Sequence, residues 1–124
     1  MKSLIPAFLF LITISSCKNG DSEEVAKKYI NAIFSYDFET ARFLSTSNLD
    51  KDIEYYEHIY NPSRRDNITL KSINTLSEEE SDDKVCYSLE IYYTHDGAPT
   101  RKRGKYCLRY IDAKWQVVSV HDLK

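Results

Sequence analysis

The stretch from Val85 to Leu108 restricts the fold more than any other part of the chain. Val85, Tyr87, Leu89, Ile91 and Tyr93 alternate with Cys86, Ser88, Glu90, Tyr92 and Thr94, the period-two pattern of a strand with two unlike faces. Asp96-Gly97 follows, a dipeptide suited to a two-residue hairpin turn because both residues tolerate positive φ. With these two in the turn, His95 opposes Ala98, Tyr92 opposes Arg101 and Glu90 opposes Arg103. Tyr87 then opposes Tyr106, Val85 opposes Leu108, and Cys86 falls opposite Cys107. Pairs alternate outward from the turn, so Cys86–Cys107 occupies a non-hydrogen-bonded site, where Cα atoms approach more closely. Pro99 occupies another such site, where its missing N–H costs the ladder nothing.

Two further strands flank this hairpin. Asp112-Ala113 is a second tight turn. Beyond it, Trp115 and Val117 are expected on the face of Tyr106, Leu108 and Tyr110, with Trp115 in the core. Val118 and Val120 are expected on the face of Cys107. Upstream, Ile68 and Leu70 alternate with polar residues to about Leu76. An acidic loop, Glu78 to Asp83, is expected after that strand. Its carboxylates suit a hard cation by type, but their spacing matches no EF-hand loop, and dense like charge reads as a solvated turn.

The first half of the chain has the helical period instead. Asp21 or Ser22 is placed to cap a helix, and Asp21 with Glu24 has capping-box spacing. Val25, Ala26, Tyr29, Ile30 and Ile33 make one apolar stripe, while Glu23 with Lys27 and Glu24 with Lys28 pair on the wet side. Tyr36-Asp37 ends this helix, and Asp37 caps a short second one from Phe38 to Leu44. A third is predicted from Leu49 to Tyr60 with Leu49, Ile53, Tyr56 and Ile59 or Tyr60 inward, closed by Asn61-Pro62. Helices followed by strands make the expected class α+β, with N-terminal helices packed on a curved four-stranded antiparallel sheet.

Before all of this stands a positive residue, Lys2, and an apolar run from Leu4 to Ile14. The run is too short to span about 30 Å of hydrocarbon but fits the core of a secretion signal. Ile14-Ser15-Ser16-Cys17 resembles the lipobox of bacterial lipoproteins. That resemblance implies a signal peptide over 1–16, cleaved before Cys17, and acyl chains on the Cys17 thiol. A lipidated tether is then expected over 17–23 and the folded domain over 24–124. Lys18 in place of an aspartate argues against inner-membrane retention, so the expected location is the cell envelope, at the outer membrane. Acyl chains contribute roughly 0.8 kcal/mol per buried CH₂, enough for stable anchoring when more than one is attached. With Cys17 so used, two of the three cysteines remain. In a secreted chain the register makes a Cys86–Cys107 disulfide the leading reading, ahead of a metal pair or a catalytic thiol.

Composition removes several function classes. The formal charge is −2, and cleavage would remove Lys2 and no acid, so nothing suggests nucleic-acid binding. The basic run Arg101-Lys102-Arg103-Gly104-Lys105 splits between strand faces and reads as a solvated hairpin. His58, His95 and His121 have no metal-ligand spacing, and no hydrolase, zinc-protease or phosphate-loop motif occurs. No metal and no cofactor is expected. Ten tyrosines are many for 124 residues and suit half-buried strand positions.

Glu24-Val25-Ala26-Lys27-Lys28-Tyr29 through Ala41, and Tyr106 to Val120 with its Asp-Ala-Lys-Trp turn, resemble small lipoproteins of the nuclear transport factor 2-like superfamily. The resemblance implies a cystatin-like roll with a cavity between first helix and sheet. For such a cavity the sequence offers Tyr29 and Ile33 from the helix and Tyr87, Leu89, Tyr106 and Trp115 from the sheet. Two functions stay open. One is a non-catalytic module for a small molecule or an envelope protein, with a dimer through the outer sheet face around Tyr92, Val118 and Val120 as a further expectation. The other is an acid–base enzyme of the isomerase or dehydratase kind, for which Asp37, His58 and His121 qualify by residue type alone.

Overall fold

The computed structural model describes residues 21–59 and 67–123. The expected signal segment over 1–16, Cys17, Tyr60 and Asn61-Pro62 lie outside them. Helix α1 covers 21–34, α2 is Phe38–Phe43, a 3₁₀ turn covers Ser47–Leu49, and α3 is Asp50–Ile59. Four strands follow: β1 (Ile68–Glu80), β2 (Val85–His95), β3 (Ala98–Ile111) and β4 (Lys114–Leu123), antiparallel in the order β1-β2-β3-β4. No described helix is long and apolar enough to cross a membrane.

The central hairpin has the register read from its turn: His95 opposes Ala98, Glu90 opposes Arg103, and Cys86 opposes Cys107. Asp96 and Gly97 both have positive φ, as do Asp112 and Ala113 in the second turn. Cys86 and Cys107 form a cross-strand disulfide with their Cα atoms 4.0 Å apart.

The apolar stripe of α1 and the inner face of the sheet make one core. Ala26, Tyr29, Ile30 and Ile33 meet Val85, Tyr87, Leu89 and Ile91 of β2, Tyr106 and Leu108 of β3, and Val117 of β4. Leu49 and Ile53 close it from the α3 side. Asp37 caps α2 as expected, accepting from the Thr40 amide at 3.3 Å.

Several expectations need correction. The folded part begins before residue 24, because 21–23 are already helical. Ser22 is fully buried with its hydroxyl bonded to Tyr87, and Glu23 accepts from Thr75 at 2.6 Å. The acidic segment is not all loop. Glu78, Glu79 and Glu80 continue β1 opposite Tyr87, Cys86 and Val85, and the turn is confined to Ser81–Lys84. Two bulges, at Lys71 and Leu76, disrupt the period that would have carried β1 further. Trp115 is half-buried at the core margin, its ring edge-on to exposed Tyr110 at 5.4 Å.

The most consequential correction is Val120. Cys107 pairs with Ser119 but Leu108 pairs with Val117, so Val118 is an extra residue in β4. This bulge reverses the facing of everything after it. Val120 pairs with inward Tyr106 and packs on the core, instead of lying on the outer face with Tyr92. Segment 44–48 runs along the same edge and holds the bulge in place. The Thr46 amide donates to the Val117 carbonyl at 3.0 Å, the Val117 amide to the Leu44 carbonyl at 2.9 Å, and Asn48 Nδ2 to the Val118 carbonyl at 2.7 Å. Those bonds satisfy a sheet edge that would otherwise be open, and they fix where α3 begins.

Candidate functional site

A cleft opens where α1, α3 and the far ends of β3 and β4 converge. It is lined by Tyr29, Ile30, Ile33 and Phe34 of α1, Asp52 and Tyr56 of α3, Lys102 and Tyr106 of β3, and Val120 of β4. Its interior has about 30 Å³ open to the centre of a water-sized sphere, and about 430 Å³ when the open mouth is included. The interior alone holds one or two waters.

Each wall follows from local sequence. Tyr29, Ile30 and Ile33 sit one helical turn apart and share a face. Asp52 and Tyr56 are four apart on α3, so both look at the sheet end. Lys102 and Tyr106 share strand parity on the inner face, and the Val118 bulge turns Val120 toward them. Gly104 lies between them, and a Cβ there would stand 2.8 Å from Tyr106 Cε1. The missing side chain is what lets the Tyr106 ring lie along its own strand.

The floor is apolar and the rim polar. Tyr29 and Tyr106 meet edge to face at 6.4 Å. Lys102 Nζ stands over the Tyr56 ring, 5.7 Å from its centroid, and 3.9 Å from Asp122 Oδ1. Burial pushes the Tyr106 hydroxyl's pKa well above its ordinary value, with further contributions from Tyr56, Tyr29 and Asp122. Burial does the same at Tyr29, aided by Tyr56 and Asp52, and at Tyr56, aided by Asp122 and Asp52. All three therefore keep their protons at neutral pH. None of them supplies a base there.

Of the residues expected to line a pocket, Tyr29, Ile33 and Tyr106 come together here. Tyr87 and Leu89 are fully buried in the core below it. Trp115 stands at the opposite end of the sheet, in a separate concavity with Glu80, Asp82, Asp83 and Arg109. The acid–base candidates lie elsewhere. Asp37 is spent as a cap, and His58 and His121 are exposed; none lines the cleft. Ile30, Phe34, Asp52, Tyr56, Lys102 and Val120 also line the cleft and are not among the residues expected there. The i,i+4 spacing of Asp52 and Tyr56 and the shared parity of Lys102 and Tyr106 were available signals. Among the described residues, no three His, Cys, Asp or Glu side chains group to hold a metal ion.

The outer sheet face is different in kind. Buried Glu90 accepts from the Tyr92 hydroxyl at 2.6 Å and from Arg103 Nε at 2.7 Å, with Arg101 at 3.8 Å. The Tyr92 bond foremost, then Arg103, holds its carboxyl below the usual range. Lys105 pairs with Glu79 and Arg109 with Asp83 on the exposed surface. Four basic side chains of this face, Arg101, Arg103, Lys105 and Arg109, thus share three carboxylates, Glu90, Glu79 and Asp83.

No family model matches the chain, and no curated protein matches it. Solved structures do. A multiply substituted chain named Rd1NTF2_05 superposes with a TM-score of 0.65 at 15% identity, over 86% of this chain and 99% of that one. The association domain of C. elegans CaMKII gives 0.61 at 14%, over 88% and 97%. An NTF2-like protein from Cytophaga hutchinsonii gives 0.56 at 19%, over 81% and 93%. With helices first, four antiparallel strands after, and a cleft at their junction, the chain has the nuclear transport factor 2-like fold.

Proposed function

We propose that the protein is a lipid-anchored component of the bacterial cell envelope, and that its domain binds a small molecule in the tyrosine-lined cleft. The observation that carries the binding reading is the cleft's make-up: an apolar floor with three protonated tyrosine hydroxyls and a charged rim. Small-molecule sites combine those features, an apolar wall for affinity with a few polar groups for orientation. Anchoring rests on the apolar run and Ile14-Ser15-Ser16-Cys17. A Cys17→Ser variant should lose acyl labelling and leave the membrane fraction; unchanged labelling would refute the anchor. Binding is tested on the full-length protein in non-ionic detergent, with ¹³C-labelled tyrosine rings assigned by Tyr→Phe variants. Titration with small polar organic compounds should shift Tyr29, Tyr56 and Tyr106 together and leave Tyr110 unmoved.

The second reading is acid–base catalysis, and Asp52 is what favours it, a carboxylate lining the same cleft as three tyrosines. Asp52 is, however, exposed at the mouth. A general base works best when held and desolvated beside the proton it takes. Binding is therefore the stronger reading. A surface partner or a second copy on the outer face, around Tyr92 and Val118, would meet a Tyr92 hydroxyl and an Arg103 guanidinium already bonded to Glu90.

A further inference from the structure

We propose that the protein docks one end of its sheet on the lipid surface that holds its anchor, with Phe43, Tyr110 and Trp115 seated among the headgroups and the cleft directed away; this rests on acylation of Cys17. The tether sets the geometry. Helix α1 begins at residue 21, four residues after Cys17. Four residues reach at most about 14 Å, so the start of α1 stays within that distance of the acylated residue. Ser22 is buried against Tyr87, two residues inside the start of β2, and Phe34 at the other end of α1 meets Tyr93 at 4.9 Å. The helix therefore runs from the end of the sheet with the β1–β2 and β3–β4 turns to the end with the cleft. Its anchored start lies at the turn end.

The turn end carries the rings that an interface needs. Tyr110 is 49% exposed and Phe43 65%. Half-buried Trp115 stands edge-on to Tyr110, and Lys114 joins Phe43 to them, donating to the Phe43 carbonyl at 3.0 Å with its ammonium 3.7 Å from that ring's centroid. Exposed Leu76 sits at a β1 bulge, and exposed Tyr55 and Leu123 stand toward the cleft, away from the start of α1. Tryptophan and tyrosine rings settle at headgroup level, where an apolar face and a polar edge are both satisfied, and a lysine stem keeps its ammonium in water. Charge is mixed at this end: among the described residues, Glu80, Asp82, Asp83 and Asp112 stand with Lys84, Arg109 and Lys114. Rings and not net charge therefore select the surface, and a zwitterionic one suffices. Three rings bury too little area to hold a bilayer by themselves. The anchor makes their encounter with it intramolecular, and at that effective concentration a weak contact is enough to orient the domain.

Trp115 is the chain's one tryptophan, so its emission reports the contact directly. The full-length protein, purified from bacterial membranes and checked for acyl chains by intact mass, is reconstituted into phosphatidylcholine vesicles, plain or brominated near the headgroup end of the lipid chains. Brominated lipid should remove most of the Trp115 emission. Phe43→Ser with Tyr110→Ser, two exposed changes that cost the fold little, should lower that quenching severalfold with acylation unchanged. A reporter moved to the opposite end, His95→Trp in a Trp115→Phe background, should keep its emission. Unquenched Trp115 in acylated protein that floats with the vesicles would overturn the docking and leave the anchor standing. Equal quenching of the reporters at 95 and 115 would overturn it too, as would a serine pair quenched as fully as wild type. Protein with no acyl group that neither floats nor is quenched would overturn both. No acyl group, with Trp115 still quenched, would remove the anchor and leave the docking.

Discussion

Gly104 makes the sharpest test of how the cleft is built. Replacing it with alanine puts a methyl 2.8 Å from Tyr106 Cε1 and 3.3 Å from both Cζ and the hydroxyl oxygen. Carbon atoms in ordinary contact sit about 3.5–4.0 Å apart, so the ring must retreat by somewhat under an ångström. It has little room to do so: Tyr106 is only 4% exposed and its ring is met edge-on by Tyr29. Overpacking of this kind costs about 1–3 kcal/mol. Against that, alanine in a strand interior gains about 0.5–1 kcal/mol over glycine in the unfolded-state entropy. The net expectation for Gly104→Ala is a loss of about 1–2 kcal/mol in urea unfolding followed by circular dichroism. The same change in a Tyr106→Leu background should be neutral or mildly stabilising, because the crowding atoms are gone. The coupling in that cycle should then reach about 1–3 kcal/mol. An equal loss in both backgrounds would show that the ring does not depend on the glycine, and the account of how Tyr106 reaches the cleft would be wrong.

Two other outcomes follow from the structure. Cys86 and Cys107 are 21 residues apart, so opening their bridge by a double serine substitution should cost about 3 kcal/mol on the loop-entropy estimate. Thiol titration of unfolded, unreduced protein should find neither cysteine free, and two free thiols would contradict the pairing. Alkaline pH should also destabilise the fold. Tyr29, Tyr56, Tyr87 and Tyr106 all have pKa values raised above 10.0, with burial the main cause at each. Below pH 10 both states hold these protons and nothing is lost. Above it the unfolded chain releases protons that the folded one keeps, so stability falls as pH rises. Tyrosinate absorbance should show these four ionising with unfolding; four early, reversible titrations would refute their burial.

Much of the fold was legible because local rules agreed with one another. Turn chemistry, Pro99, the Glu90–Arg103 pair and the two cysteines each specify the β2–β3 register independently, and period-two alternation then assigns the faces. The helical stripe of α1 is similarly redundant. Parity counting fails where the chain spends an extra residue, because a bulge leaves no mark in hydrophobic alternation. Val118 and Val120 are both valines, and either facing reads equally well. At the acidic segment the error came from charge: glutamates at a strand end look like a loop unless the partner strand is known. Trp115 has inward parity opposite Tyr110, but the core ends before it, beside that exposed ring.

The cleft was harder to read than the fold for a related reason. Its members belong to four elements, and what brings them together is tertiary. Asn48 binds the Val118 carbonyl, the bulge turns Val120 inward, and the segment through Ser45 and Thr46 seats α3 so that Asp52 and Tyr56 face the sheet end. Without the bulge, Asp122 would leave the inner face, and with it the carboxylate that pairs Lys102. One extra residue in β4 therefore determines both the apolar floor at Val120 and the charge of the rim. A sequence pattern that records only which residues are apolar registers neither.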